Sequence, residues 1–151
     1  MAVQLARWRG AHVLATASAR DAALVRSLGA DDVIDYHATR FEDILRDIDV
    51  VLDTIGGETR ERSWRVLRKG GVLVTLVSAI PADVAEQFGV RGVFFIVSGN
   101  RRQLDQITGL VDTGKLKPVL SEALPLAHAR EAFEHGAAGN APGKIVLQVA
   151  R

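Results

Sequence analysis

Asp49-Val50-Val51-Leu52-Asp53-Thr54-Ile55-Gly56-Gly57 joins a short β-branched apolar run directly to an acid and then to two glycines. The apolar run reads as a buried strand. In open α/β sheets ligands bind at the carboxyl edge, where Asp53, Thr54, Ile55 and Gly56 would stand. Gly56 and Gly57 permit left-handed geometry or close backbone approach. A plain strand-to-helix turn is the alternative reading of the same residues.

The same alternation extends outward in both directions. Further short apolar runs lie at His12–Thr16, Asp32–Ile34, Val72–Val77 and Val93–Val97. Between them are helical periods: Phe41, Ile44, Leu45 and Ile48 share one face, as do Leu104, Ile107 and Val111. Near-continuous apolar strands separated by amphipathic helices predict a Rossmann-like, doubly wound parallel sheet. Gly10, Gly29 and Gly114 each follow a helical stretch, where a left-handed C-terminal cap favours glycine. Lys69-Gly70-Gly71 is expected to turn helix into strand in the same way. Ser18-Ala19-Arg20-Asp21 has the form of a capping box.

The ends differ from the middle. Met1–Arg9 reads as a helix with no capping residue before it, which suggests that the preceding part of the domain is missing. After Gly114, Lys117–Leu120 and Lys144–Val149 read as strands, Leu126–His135 as a helix, and Gly136–Gly143 as a flexible loop.

Composition sets the bounds. The 151 residues fit one domain; 48% are hydrophobic and 25% charged, as in a globular protein. A net charge of +1 with scattered Lys and Arg gives no reason to expect nucleic acid. No apolar run has membrane-spanning length and no signal peptide opens the chain, so the expected location is the cytoplasm. Without cysteine there are no disulfides, thiolate metal sites or cysteine nucleophiles. His12, His37, His128 and His135 fall in separate elements without metal-site spacing, and no triad or nucleophile-elbow pattern occurs. No catalytic and no metal residue is assigned.

In a dinucleotide-binding unit, an acid at the tip of the strand after the glycine-rich turn selects NAD through the ribose 2′-hydroxyl. Here that strand ends Thr16-Ala17-Ser18-Ala19-Arg20. A hydroxyl and a guanidinium without a carboxylate suit a phosphate, which favours NADP(H) over NAD(H). Ser18 as a simple helix cap and Arg20 as a solvated first-turn residue are the alternatives.

Six pieces in order resemble the C-terminal half of medium-chain dehydrogenases/reductases, in the quinone oxidoreductase-like, zinc-binding dehydrogenase branch. They are Ala2–Ala6, Thr16-Ala17-Ser18, Leu28–Tyr36, Asp49–Gly57, Leu116-Lys117-Pro118 and Gly143–Leu147. The resemblance implies that Ser18, Arg20 and Tyr36 surround the 2′-phosphate and adenine. It places Asp53, Thr54, Ile55 and Gly56 by the cofactor ribose, and Ser78, Phe95 and Val97 towards the nicotinamide. Lys144 is a further candidate contact. For Phe95, Tyr36 and Lys144, ordinary packing or solvation are equal or stronger readings.

By the same resemblance, residues 1–116 form a Rossmann-type domain lacking its first strand and glycine-rich turn. Residues 117–151 form a tail that packs on an N-terminal catalytic domain absent here. The implied function is part of an NADPH-dependent oxidoreductase, passing hydride between nicotinamide and a quinone, enone or alcohol/aldehyde substrate. A non-catalytic remnant or split-gene module is the alternative, and a stand-alone NADP(H) sensor a third. The chain alone is expected to bind NADPH weakly, not to turn over quinones, and to self-associate through the Val93–Val97 edge strand.

Overall fold

The computed structural model describes residues 1–139 and 142–149. In chain order its first elements are α1 (Ala2–Trp8), β1 (Leu14–Ala17), α2 (Ala19–Ser27), β2 (Asp32–Asp35) and α3 (Phe41–Ile44). Next come β3 (Ile48–Asp53), α4 (Gly57–Ser63), β4 (Leu67–Thr75), α5 (Ala82–Gln87) and β5 (Arg91–Phe94). The last are α6 (Arg101–Asp112), β6 (Leu120–Pro125), α7 (Ala129–Ala137) and β7 (Lys144–Gln148). The strands pair as β1-β2, β3-β4-β5 and β6-β7. Both neighbours of β4 run parallel to it, and β6 and β7 are parallel. This is the Rossmann-like α/β class.

Two compact units divide the chain: Met1–Val33 with the segment from Asn100 onward, and Ile34–Gly99. In the first, α1 and α2 cover β1 with an apolar cluster of Val13, Ala17, Ala30 and Val33, bordered by Val3, Ala6 and Val25. Helix α2 starts at Ser18, whose hydroxyl accepts from the Asp21 amide at 3.3 Å. Helix α6 starts at Asn100, whose side chain accepts from Gln103 N at 3.1 Å. The α1 helix has no side-chain cap. Gly29 ends α2 at φ +104°, and a Cβ there would meet Arg7 Cγ at 3.1 Å, so only glycine suits the turn.

Gln4 is buried and acts as a second backbone. Its Nε2 donates to Lys117 O at 2.9 Å and its Oε1 accepts from Lys117 N at 2.8 Å. This clasp ties α1 to the start of the tail, beside the buried Leu116. Gln4→Ala leaves both Lys117 groups unpaired and is expected to cost about 1–2 kcal/mol. The melting temperature should fall by roughly 3–6 °C; an unchanged midpoint refutes the clasp.

Asp31 gathers the turn before β2. It accepts from Val13 N and Arg7 Nη1, each at 2.8 Å, and His12 Nδ1 lies 3.3 Å from its Oδ2. The Val13 amide holds its pKa below the ordinary value, against partial desolvation and with help from Arg7 and His12. A depressed folded pKa means the unfolded chain binds more protons, so this stabilisation is present above the ordinary pKa and lost as pH falls through the folded one. Thermal melts between about pH 6 and 3 should therefore show falling stability, with a shallower slope for Asp31→Asn. Identical slopes would refute the assignment.

In the second unit, Trp64, Leu73 and Ala85 form one cluster with Val51, Ile80 and Val84. Ile34, Phe41 and Val66 form another with Leu45, Ile48 and Val51. Glu42 lies buried in this unit, its Oε1 2.9 Å from both Arg40 Nε and Arg40 Nη2, and 3.4 Å from Arg62 Nη1.

Several sequence expectations need correction. The helix over Phe41–Ile48 stops at Ile44, because Leu45 is extended and Asp47 adopts φ +57°. Leu45 and Ile48 still reach the Phe41 cluster. Ile44 is 57% exposed, so the spacing recorded burial at Phe41, Leu45 and Ile48 and not one helical face. Lys69-Gly70-Gly71 lies within β4, where the register jumps from Ile48↔Leu67 to Val50↔Val72. A Cβ on Gly71 would stand 2.9 Å from Arg68 O, so the bulge requires glycine. Lys117–Val119 precede β6, because Lys117's backbone pairs with Gln4 instead of a strand. Leu126–His128 is a 3-10 turn before α7, which runs on to Ala137; in the expected Gly136–Gly143 loop, Asn140 and Ala141 lie outside the described residues. The runs Val72–Val77 and Val93–Val97 leave the strand at Thr75 and Phe94. Val50 and Leu52, expected to be buried, are 60% and 45% exposed: as alternate residues of β3 they share one face, opposite to Val51, which packs in the core.

Candidate functional site

The carboxyl ends of β3, β4 and β5 converge through backbone hydrogen bonds. Leu76 N donates to Asp53 O at 3.1 Å, and Phe95 N to Thr75 O at 3.0 Å. Asp53 and Thr75 are register partners, both buried. The Asp53 carboxylate is consumed inward. Its Oδ1 accepts from Ile55 N at 3.0 Å and Gly56 N at 2.8 Å, and its Oδ2 from Thr75 Oγ1 at 2.8 Å. Asp53 therefore shapes the 53–57 turn from below, which the sequence did not reveal. The one available sign was a hydroxyl residue inside an otherwise apolar strand.

Gly56 closes this turn at φ +77° and ψ −164°, a region open essentially to glycine alone. The turn carries exposed Ile55 and Thr54 at the rim. Beyond β4, Arg60 Nη1 donates to Ser78 Oγ at 2.9 Å and Ser78 O at 3.3 Å, joining the loop after β4 to α4. Arg60 had no distinguishing mark in the sequence. After β5, Phe95 and Val97 are exposed, Val97 at 83%. Thr54, Ile55, Gly56, Ser78, Phe95 and Val97 thus follow the carboxyl ends of three adjacent parallel strands. Tyr36, in the same unit, follows β2; it is exposed and its ring lies 4.3 Å from that of His37.

The remaining candidates belong to the other unit. Ser18 and Arg20 open α2 directly after β1. Ser18 Oγ donates to Asp21 Oδ2 at 2.8 Å, and Arg20 Nε lies 3.4 Å from Asp21 Oδ1. Asp21 was read in the sequence only as a cap. Lys144 begins β7 and borders an open recess of about 420 Å³ with Ala132, Phe133, Gly136 and Ile145. Among the described residues no group of three or more His, Cys, Asp or Glu could hold a metal ion.

Loops at the carboxyl ends of three adjacent parallel strands, the first closed by Gly56 and Gly57, lie at the edge where α/β domains of this class bind their ligands. The zinc-binding dehydrogenase family model matches residues 28–147, and the chain belongs to that family, to the C-terminal half of its medium-chain dehydrogenase/reductase members. It is 36% identical to the mitochondrial NAD(P)H oxidoreductase RTN4IP1 of Danio rerio, over 98% of this chain and 45% of that one. It is 34% identical to the chloroplastic NADPH-dependent alkenal/one oxidoreductase of Arabidopsis thaliana, over 97% of this chain and 36% of that one. The quinone oxidoreductase structure from Coxiella burnetii matches with a TM-score of 0.83 at 30% identity, covering 99% of this chain and 48% of that one. The chain spans less than half the length of these relatives. No helix among the described residues is long and apolar enough to cross a membrane.

Proposed function

We propose that these residues form the nicotinamide-nucleotide-binding part of an NADPH-dependent oxidoreductase acting on a quinone, enone or alcohol/aldehyde. The observation that supports this most is the 53–57 turn, held at the carboxyl end of β3 by the buried Asp53 carboxylate. In this reading Thr54, Ile55 and Gly56 face the cofactor ribose, with Asp53 positioning them. Ser78, Phe95 and Val97 border the nicotinamide, and exposed apolar side chains at 95 and 97 suit a flat ring. Tyr36 lies towards the adenine, Ser18 and Arg20 towards the 2′-phosphate, and Lys144 is a further contact. When bound, the cofactor supplies or accepts the hydride; the protein's part is to bind and orient it. No proton donor or acceptor is assigned among these residues.

Chemical-shift mapping with NADPH tests the reading. Perturbed amides should fall at residues 53–57, 76–78 and 95–97; shifts confined elsewhere overturn it. In calorimetry the 151-residue polypeptide should bind NADPH weakly and show no quinone turnover, since it contains no Gly-x-Gly-x-x-Gly turn. A low-micromolar dissociation constant would contradict that.

The reading of a module that mediates association without turnover draws support from β5, an outer strand continued by exposed Phe95, Ile96 and Val97. Light scattering at high concentration should show self-association through this edge, lost in Val97→Lys; a strict monomer counts against it. Cell fractionation tests the cytoplasmic location, against which stand the organellar labels of the relatives.

A further inference from the structure

The two side chains read as phosphate ligands are both engaged by a third. Asp21 Oδ2 accepts the Ser18 hydroxyl at 2.8 Å, and Asp21 Oδ1 faces Arg20 Nε at 3.4 Å. Asp21 also lines an open recess of about 250 Å³ with Arg20, Leu24 and Pro142. The strand tip itself ends without an acid, yet the first turn of α2 returns a carboxylate to the same place. The Ser18 hydroxyl holds that carboxyl below the ordinary range, against partial desolvation and with help from Arg20, so it is ionised at neutral pH.

We propose that Asp21 limits discrimination at the ribose 2′ position, narrowing the preference for a 2′-phosphate over a 2′-hydroxyl that Ser18 and Arg20 set up. This rests on the reading that Ser18 and Arg20 face the adenosine ribose. A 2′-phosphate must take the Ser18 hydroxyl from the Asp21 carboxylate, meets an Arg20 whose Nε already faces that carboxylate, and sits beside a like charge. A 2′-hydroxyl can instead donate to the carboxylate, as it does to the acid of NAD-selecting folds. A phosphate dianion about 6 Å from one carboxylate in a water-like dielectric loses about tenfold in affinity.

The test titrates the 151-residue chain with 2′,5′-ADP and, separately, 5′-AMP, following amide shifts. Asp21→Asn and Asp21→Ser remove the charge, and Asp21→Glu keeps it. The affinity ratio of 2′,5′-ADP to 5′-AMP should rise about tenfold in the first two and stay within about twofold in the third. Loss of the helix cap alone would weaken both probes together and leave the ratio unmoved, which overturns the proposal. As a check that needs no variant, the carbon-13 resonance of the wild-type Asp21 carboxylate should shift on adding 2′,5′-ADP; a fixed resonance overturns it as well. If the ratio ignores Asp21 while Arg20→Ala still weakens 2′,5′-ADP, the inference fails and the reading of Ser18 and Arg20 survives. If neither probe moves the amides of residues 18–21 in wild type, both fail.

Discussion

Asp53→Ala should destabilise the Ile34–Gly99 unit by about 3–4 kcal/mol and abolish nucleotide-induced shifts at residues 53–57. The substitution removes the acceptor for Ile55 N, Gly56 N and Thr75 Oγ1 together, in a buried place where water does not replace it. Leaving each such donor unpaired costs about 1–3 kcal/mol, reduced here by relaxation of the exposed turn. Asp53→Asn should cost less, about 1–2 kcal/mol, because the amide oxygen still accepts from Ile55 N and Gly56 N, while the amide nitrogen can donate to Thr75 Oγ1, whose hydroxyl loses its own acceptor. Equilibrium urea unfolding of both variants checks the ordering. Equal losses would show that charge, and not the acceptor geometry, holds the turn.

Gly56→Ala should be nearly as damaging, at about 2–4 kcal/mol. Its φ of +77° with ψ −164° strains any side-chain-bearing residue, by about 1–3 kcal/mol. The added Cβ would also stand 2.8 Å from Val77 Cγ1. The two causes can be separated. Val77→Ala placed on top of Gly56→Ala relieves the overlap and not the backbone, so only part of the loss should return. Full recovery would mean that the backbone strain is absent. Against the wild type, Gly57→Ala, with nothing within 4 Å of its Cβ at φ +52°, should cost less than Gly56→Ala.

The architecture was legible in the sequence because a parallel sheet needs apolar strands and covering helices, and both leave periodic traces. The strand Val50–Leu52 and the glycines that end α1, α2 and α6 were read from such traces. Phe41–Ile48 misled because Phe41, Leu45 and Ile48 meet one core although only Phe41–Ile44 is helical, and Ile44 itself is exposed. At the site, Gly56 announced itself through residue type. Asp53 was read as a cofactor contact, and its carboxylate holds the 53–57 turn, because a carboxylate that binds ligand and one that caps a turn look alike in a sequence. Gln4, Arg60 and Thr75 act through partners far away in sequence, and no local pattern marks such pairs. Asp21 was visible as a cap, while its grip on Arg20 needed coordinates.

The Gln4–Lys117 clasp has a bearing on the order in which the chain folds. All of residues 34–99 lie between the clasped groups, so the unit containing α1 closes only after a long stretch has been looped out. The entropy of that closure must be met before its contacts form, whereas Ile34–Gly99 is continuous and its strands pair with their sequence neighbours. During synthesis residues 34–99 can consolidate before the Gln4–Lys117 clasp closes.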